Sequence, residues 1–381
     1  MALPLQGLTV VSLEQAVAAP FASRQLADLG ARVIKIERES GDFAREYDHT
    51  VKGSSSYFVW LNRGKESVVL DLKSDAGIAA IRTLMSTADI FIQNLAPGAV
   101  DRLGIGPEDA TQANSKLIYI SVSGYGQGGS YAEKKAYDLL VQCEAGLLSV
   151  TGTPDDVAKV GVSVADIAAG MYAYTGALSA VIERAKTGVG TVIEVSMLEA
   201  LGEWMMQPFL YAEYGGVQAP RSGAQHASIA PYGPFAARDG AVFFGIQNER
   251  EWQNFCEIVM QDSSMAEDQL FNSSSNRVAN RPLLHERIDH VLNALTKDEV
   301  VSRLDEADIA NAELRDMKSF GAHPQLFARD RWEEVGLPGG ETARSLVPPV
   351  TSSSYRQVMG PVPRLGQHTE EVLAEFGISS R

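Results

Sequence analysis

The chain has 381 residues, of which 45% are hydrophobic and 21% charged, as in an ordinary folded protein. Single hydrophobic cores stop growing at roughly 250–300 residues, so this length predicts two domains. The formal net charge of −15 argues against nucleic acids and anionic membrane surfaces as partners. Two distant cysteines, Cys143 and Cys256, indicate reduced thiols in a cytoplasmic protein. The N-terminal residues predict a strand and not a signal peptide, and the apolar segment Ile167–Ile182 is shorter than the ~20 residues of a membrane span.

The first half of the chain alternates between strand-like and helix-like segments. Short apolar, β-branched runs predict strands at Leu8–Leu13, Arg32–Glu37, Ser67–Leu72, Ile90–Gln93, Lys116–Val122 and Thr191–Val195. Apolar periodicity with start and stop residues predicts helices at Pro20–Leu29, Ser74–Met85, Tyr137–Leu148, Asp166–Lys186 and Leu198–Gly215. Strands that alternate with helices predict a mostly parallel sheet covered on both faces.

The composition changes near Gln218, where Gly, Ala, Pro and Ser become frequent. A strand at 241–246 and helices at 249–259, 282–295 and 297–307 then predict a smaller α/β domain. A Pro-rich linker and a short helix at 369–376 end the chain. We therefore predict a large domain over residues 1–217, completed by 330–381, and a small domain over 218–329.

Several common site motifs are absent from the sequence. No G-x-G-x-x-G follows the first strand and no Walker lysine motif occurs, which disfavours a nicotinamide enzyme. The six histidines lack metal-ligand spacing, and no serine lies in a G-x-S-x-G context, so neither a metal site nor a serine hydrolase is expected.

Asp166 lies next to a long predicted helix and is surrounded by small residues. An aspartate at that position can simply cap the helix. The same geometry also suits a nucleophile, because backbone N–H groups keep a carboxylate ionised and small neighbours leave room for an acyl group. The residues alone leave both interpretations open.

Three basic residues follow predicted strands: Arg38, Lys73 and Arg102. Ligands of open α/β sheets bind outside the carboxyl ends of the strands, and basic side chains there suit a polyanion such as a nucleotide phosphate. Each one could equally be a solvated surface charge, but three in one layer favour a phosphate-bearing ligand.

Seven segments, in order along nearly the whole chain, resemble the family III CoA-transferases. They are LPLQGLTVVSLEQAVAAPFASRQLADLGARVIKIE, NRGKESVVLDLKS, NLAPGAVDRLGI, YISVSGYGQGG, AYDLLVQCEAGLLSVTG, VADIAAGMYAYTGALSAVIERAKTGVGTVIEVSMLEA and PRLGQHTEEVLAEFG. The resemblance implies a Rossmann-like large domain, a small domain and a ring-shaped homodimer in which the subunits interlock. It also implies that a coenzyme A thioester is the substrate and that no cofactor is permanently bound.

The resemblance assigns roles to individual residues. Asp166 matches the family's nucleophilic aspartate, whereas the rival carboxylate, Asp138, is expected to cap or pack. Contacts with CoA are implied for Gln15, Ala18, Arg38, Leu70, Lys73, Asn94, Leu95, Arg102 and Lys135. Related racemases carry a histidine where this chain has Tyr137, and a tyrosine is a poor base at neutral pH, which favours a transferase.

The acceptor is expected to be a short dicarboxylate of the itaconate, citramalate or mesaconate kind, with a donor such as succinyl-CoA. The blocks that suggest this supply Arg45, Lys52 and His226, which together with Tyr137 are the predicted acceptor-binding residues. The glycine-rich flap of the oxalate enzymes is absent, so oxalate is not expected. An α-methylacyl-CoA racemase-like isomerase and a catalytically inactive acyl-CoA-binding scaffold remain the alternatives.

Overall fold

The computed structural model describes residues 2–378. These residues divide into two compact units. The larger unit comprises the chain up to Leu147, Val160–Gln207 and the chain from Leu326 onward, and the smaller unit comprises Leu148–Lys159 and Pro208–Gln325. The predicted boundaries lie at 218 and 330, and separate folding of two domains stays a prediction.

A six-stranded sheet forms the centre of the larger unit. Its strands, β1 to β6, are Thr9–Leu13, Arg32–Glu37, Lys65–Val69, Ile90–Gln93, Ile118–Ser123 and Val192–Ser196. All neighbouring pairs are parallel, in the order β3-β2-β1-β4-β5-β6. The predicted α/β fold with a Rossmann-like parallel sheet is confirmed. The strand order reverses between β1 and β4, the place where sheets of this kind bind ligands.

Helices cover both faces of this sheet. In chain order, α1 to α8 are Ala18–Asp28, Ser56–Asn62, Asp75–Thr87, Ala99–Arg102, Pro107–Ala113, Asp138–Glu144, Val164–Thr187 and Met197–Trp204. Helix α9, Met206–Gly215, follows them and belongs to the smaller unit from Pro208 onward. Side chains alternate along a strand, so Val10 packs with α1, α7 and α8 while Val11 packs with α3 and α5 on the opposite face. Small buried residues of α7, such as Ala169 and Gly170, let it lie close against α1.

The smaller unit contains an antiparallel sheet of β7 (Tyr232–Ala237), β8 (Gly240–Gly245) and β9 (Asn311–Ala312). Helices α10 to α15 are Glu249–Asn254, Ser274–Ala279, Arg281–Leu292, Lys297–Glu306, Met317–Gly321 and Pro324–Ala328. Three of these helices pack on the sheet around a core that includes Trp252, Leu284 and Leu304. The larger unit is completed by β10 (Trp332–Gly336), β11 (Thr342–Leu346) and α16 (Thr369–Glu375).

The structure differs from the predicted elements at several places. The single helix predicted over 198–215 is two helices, because Pro208 has no N–H and its ring conflicts with the carbonyl of Trp204, where α8 ends. Helix α2 and the β10–β11 hairpin were not predicted. Within residues 2–378, no helix is both long enough and apolar enough to cross a membrane.

Candidate active site

The loops that follow β1 and β4 are tied together at the carboxyl edge of the sheet. The backbone N–H of Gln15 donates to Asn94 Oδ1 at 2.9 Å, and Asn94 Nδ2 donates to the Gln15 carbonyl at 2.8 Å. Two cavities open beside this junction, and both are lined by Gln15 and Leu95. The amide of Asn94, predicted to contact CoA, is thus engaged by the protein backbone.

The first cavity has a volume of about 730 Å³ and contains Asp166. Its wall includes many of the predicted site residues: Gln15, Ala18, Asn94, Leu95, Lys135 and Tyr137. It also includes Asp138 and three aromatic residues that sequence reasoning missed, Phe43, Tyr47 and Tyr57. The structure therefore places the predicted nucleophile in a cavity that is also lined by five of the nine predicted CoA-binding residues.

The second cavity has a volume of about 810 Å³ and lies beyond the ends of β2 and β3. Arg38, Leu70 and Lys73, all predicted to contact CoA, line it. Arg38 and Lys73 are exposed, and the Arg38 Nε atom donates to the Gly41 carbonyl at 2.9 Å. These two cations, which suit a phosphate-bearing ligand, lie beside the exposed acidic residues Glu39 and Asp71 in the same cavity wall. Arg102 is exposed on α4 and does not line either cavity.

Asp166 lies in the first turn of α7, which begins two residues before it at Val164. The backbone N–H of Ala18, the first residue of α1, lies close enough to this carboxylate to favour its ionised form. Burial, and then the nearby charge of Asp138, raise the pKa of Asp166 to about 7, while the Ala18 N–H opposes this rise. A carboxyl group of this kind changes its charge near neutral pH.

Asp138, not Asp166, caps the start of α7. Its Oδ1 atom accepts the backbone N–H of Ala165 at 2.9 Å and that of Asp166 at 3.4 Å. Its Oδ2 atom accepts from Gln142 Nε2 at 2.7 Å. The expectation that Asp138 caps is confirmed, and a capping role for Asp166 is wrong, because both N–H groups already have Asp138 as acceptor.

The aromatic wall of the first cavity consists of Phe43, Tyr47 and Tyr57. Tyr47 packs against Phe43 at 5.7 Å and edge-on against Tyr57 at 5.4 Å between ring centroids. Burial, followed by the charges of Asp42 and Asp166, raises the pKa of Tyr47 to about 12, so its hydroxyl stays protonated at neutral pH. The signal for this wall was the cluster of aromatics within residues 43–60.

A buried cluster of charges lies beneath the loop after β1. Lys35 Nζ contacts Asp42 Oδ2 at 2.9 Å, and Lys65 Nζ contacts Glu14 Oε1 at 2.6 Å. All four of these side chains are fully buried. Sequence reasoning missed this cluster, although a lysine inside the apolar strand segment RVIKIE was a signal for it.

Three predicted acceptor-binding residues do not line the first cavity. Arg45 forms a two-point ion pair with Glu37, with Nε and Nη2 at 2.8 and 2.7 Å from the carboxylate oxygens. Lys52 Nζ lies 3.6 Å from Glu341 Oε1 at the surface. His226 lies in the smaller unit, where its ring stacks on Tyr232 at 5.2 Å between centroids. Of the predicted acceptor-binding residues, Tyr137 lines the cavity that contains Asp166.

Comparison with known proteins supports the chemistry that this site suggests. The chain is 30% identical to human succinyl-CoA:glutarate CoA-transferase, over 98% of this chain and 86% of that protein. It is 33% identical to acetyl-CoA:oxalate CoA-transferase of Acetobacter aceti, over 88% of each chain, and 28% identical to succinyl-CoA:mesaconate CoA-transferase of Haloarcula marismortui, over 99% and 97%.

The fold of the chain and its match to a family sequence model agree with these sequence relatives. A crystal structure of a CAIB/BAIF family protein from Brucella suis superimposes with a TM-score of 0.87 at 30% identity, covering 99% of this chain and 100% of that one. The model of CoA-transferase family III matches residues 5–369. This protein is therefore a CoA-transferase, a member of CoA-transferase family III.

Proposed function

We propose that this CoA-transferase moves CoA from a donor such as succinyl-CoA to a short dicarboxylic acid through covalent intermediates on Asp166. The observation that carries the proposal is the position of Asp166, in a cavity that adjoins a second cavity with two exposed cations. The thioester would meet Asp166 in the first cavity, and the phosphates of CoA would meet Arg38 and Lys73 in the second. The names of the relatives, which include glutarate and mesaconate transferases, favour a dicarboxylate acceptor.

The proposed reaction begins when the Asp166 carboxylate attacks the thioester carbonyl of the donor. The C–S bond breaks, CoA leaves as a thiolate, and an acyl-aspartyl anhydride forms. The thiolate then attacks the aspartyl carbonyl, which expels the donor carboxylate and leaves an aspartyl-CoA thioester. The acceptor carboxylate displaces the thiolate to give a second anhydride, and the thiolate attacks its acceptor carbonyl, which frees Asp166.

Groups around Asp166 would assist this exchange. The Ala18 N–H, which lies close to the Asp166 carboxylate, would also stabilise negative charge that develops at the aspartyl carbonyl. Tyr47 and Tyr137 line the same cavity, and their hydroxyls would donate to carboxylate oxygens of donor or acceptor. Arg45 and Lys52 pair with glutamates, so we do not propose that they bind the acceptor carboxylate.

We also propose that the active enzyme is an interlocked homodimer. Helix α9 supports this, because none of its residues is buried in the described chain although it carries Phe209, Leu210, Tyr211 and Tyr214. A second copy of the chain would remove these apolar side chains from water.

The test of the proposed function is a transfer assay with succinyl-CoA and a panel of acids. Glutarate, mesaconate, itaconate, citramalate and oxalate are compared with butyrate and a long-chain acid, and new CoA esters are identified by mass. We expect a short dicarboxylate to give the highest kcat/KM and Asp166→Ala to abolish transfer while the protein still folds. Preference for the monocarboxylates would contradict the dicarboxylate assignment, and full activity of Asp166→Ala would contradict the covalent mechanism.

Two further experiments distinguish a covalent transferase from a racemase-like isomerase and from an inactive scaffold. Hydroxylamine added during turnover should inactivate the enzyme and leave its adduct on Asp166, as an activated aspartyl ester predicts. Exchange of the α-proton of a 2-methylacyl-CoA into deuterated water, without transfer, would instead indicate a racemase-like isomerase. Absence of both reactions in a folded protein that binds acyl-CoA would indicate an inactive scaffold.

A further inference from the structure

Ala16 adopts an unusual backbone conformation in the loop between β1 and α1. Its φ is +62°, in the left-handed region that residues with a Cβ atom rarely occupy. Such a conformation persists only where the surrounding structure imposes it, and residues of this kind cluster at functional sites. Ala16 lines the cavity that contains Asp166.

The side chain of Asp42 holds this turn. Its Oδ1 atom accepts the backbone N–H of Ala16 at 3.1 Å and that of Ala44 at 2.9 Å. Its Oδ2 atom accepts from Lys35 Nζ at 2.9 Å. The Asp42 side chain is fully buried, and these hydrogen bonds to both of its oxygens fix its position. Asn94 holds the neighbouring residue, Gln15, by its N–H and its carbonyl.

The direction of the turn decides where the backbone N–H of Ala18 points. Ala18 is the first residue of α1, and the N–H groups of a first helical turn have no acceptor within the helix. Ala18 and Asp166 line the same cavity, and the Ala18 N–H lies close enough to the Asp166 carboxylate to favour its ionised form. We propose that Asp42 is a positioning residue of the transfer reaction, which holds Ala16 in the left-handed turn and thereby aims the Ala18 N–H at Asp166; the inference rests on the role proposed for Asp166.

A purely structural role for Asp42 would consist of balancing the charge of Lys35. That role involves Oδ2 and the lysine, whereas positioning involves Oδ1 and the turn. Glu14 also lies near Lys35, with Oε1 at 3.5 Å from Nζ, so the lysine keeps an acidic neighbour when Asp42 is neutralised. The two roles therefore predict different results for substitutions in the turn itself.

The experiment compares Asp42→Asn, Ala16→Gly and the double variant for kcat/KM against pH. We expect Asp42→Asn to lower kcat/KM by about tenfold or more, because a misdirected donor no longer stabilises developing charge. The acidic limb of its profile should move to higher pH, since the Ala18 N–H favours the ionised form of Asp166. The other titratable groups that face Asp166, Asp138 and Tyr47, are unchanged in these variants.

Glycine adopts the left-handed conformation without a penalty, so the double variant should regain most of the lost kcat/KM. The inference would be overturned by a folded Asp42→Asn protein with the wild-type pH profile, or by a double variant as slow as Asp42→Asn alone. The proposed function would still stand in that case if Asp166→Ala is inactive. If Asp42→Asn does not fold, Ala16→Val tests the same turn without a change of charge, because β-branched residues strongly disfavour the left-handed region. An unshifted limb in that variant would overturn the inference equally.

Discussion

At the scale of single residues, the protonation of Asp166 should govern the rate. A carboxyl group attacks a thioester only when it is ionised, and burial with the charge of Asp138 raises the pKa of Asp166 to about 7. We therefore expect kcat/KM to rise about tenfold per pH unit below pH 7 and to level off above it. Asp138→Asn removes the neighbouring charge, so its limb should lie at lower pH. Identical limbs in the two proteins, measured with the same substrates, would contradict this account.

The ionisation of Asp166 also makes the stability of the fold depend on pH. The pKa of Asp166 is raised from an ordinary value of 3.8 to about 7, so the folded protein binds the proton more tightly than the unfolded chain. The stability of the fold consequently falls as the pH rises from about 4 to about 7. Asp166→Asn removes this effect, and its free energy of unfolding should exceed that of the wild type by roughly 2–4 kcal/mol at pH 8 and by less than half as much at pH 5. Urea unfolding at the two pH values checks this, and an equal gain at both would point to a cause other than ionisation.

Arg45 is expected to stabilise the fold and not to select the acceptor. Burial raises the pKa of Glu37, but the hydrogen bond from Arg45 and the charge of Lys35 lower it to about 2, so Glu37 is ionised. Arg45→Ala leaves that buried carboxylate without its main partner and should lower the free energy of unfolding by about 3–5 kcal/mol. Lys52→Ala, which removes an exposed ion pair with Glu341, should change it by less than about 1 kcal/mol.

If Arg45 bound the acceptor instead, Arg45→Ala would change the substrate preference. The ratio of kcat/KM for a dicarboxylate to that for butyrate should be the same in Arg45→Ala and the wild type. A selective loss of dicarboxylate transfer, in a variant that remains folded, would restore Arg45 to the acceptor site that the sequence suggested.

At the scale of elements, the approach of α7 to α1 should be sensitive to a single methyl group. A Cβ atom on Gly170 would lie 2.6 Å from the Ala18 carbonyl oxygen and 3.0 Å from the Phe21 ring. Gly170→Ala must push the helices apart, which should cost about 1–3 kcal/mol of stability and lower kcat/KM by displacing Ala18 from Asp166. Urea unfolding and the transfer assay measure the two effects.

A matched control lies six residues further along the same helix. A Cβ atom on Gly176 would lie 3.4 Å from the nearest atom of Ile193, an ordinary contact. Alanine favours the helix over glycine, so Gly176→Ala should keep its activity and gain up to about 1 kcal/mol. Equal losses in both variants would show that α7 does not tolerate alanine in general, and would remove the special role of Gly170.

The secondary structure was predictable where one physical signal dominated. Strands β2 and β4 begin and end at the predicted residues, because buried parallel strands are short apolar runs with clear limits. Ser74 caps α3 as predicted, with its Oγ accepting from the Gly77 N–H at 3.0 Å. The division between α8 and α9 was missed because the apolar pattern continues across Pro208. Helix α2 was missed because its seven residues are too few for a periodic signal.

At the scale of the whole molecule, the site depends on contacts between distant parts of the chain. Asp166 was identified through a family resemblance, but its neighbours Ala18, Tyr47 and Asp138 come from three other segments. The pairing of Asn94 with the Gln15 backbone joins loops 79 residues apart, and no local pattern reveals it. The pairings of Arg45 with Glu37 and of Lys52 with Glu341 also follow no local pattern in the sequence.

The exposed apolar side chains of helix α9 indicate that two chains assemble into a dimer. Phe209 is 53% exposed and Tyr214 is 83% exposed, which is a large apolar area for one helix to leave in water. If a second chain covers it, sedimentation equilibrium at micromolar concentration should give twice the 41.1 kDa of one chain. Interlocked rings cannot separate without extensive unfolding, so mixing tagged and untagged protein should yield mixed dimers only very slowly.

Substitutions in α9 distinguish a covered face from an exposed one. Phe209→Glu places a charge where the partner chain would lie, and because burying an unpaired charge is unfavourable, we expect a monomer or an insoluble product. Gln207→Glu adds the same charge at a polar, exposed position of the same helix and should leave the dimer intact. A Phe209→Glu protein that remains a dimer of normal thermal stability would show that the partner does not cover this face. A monomeric wild type that still transfers CoA would show that one chain suffices for the reaction.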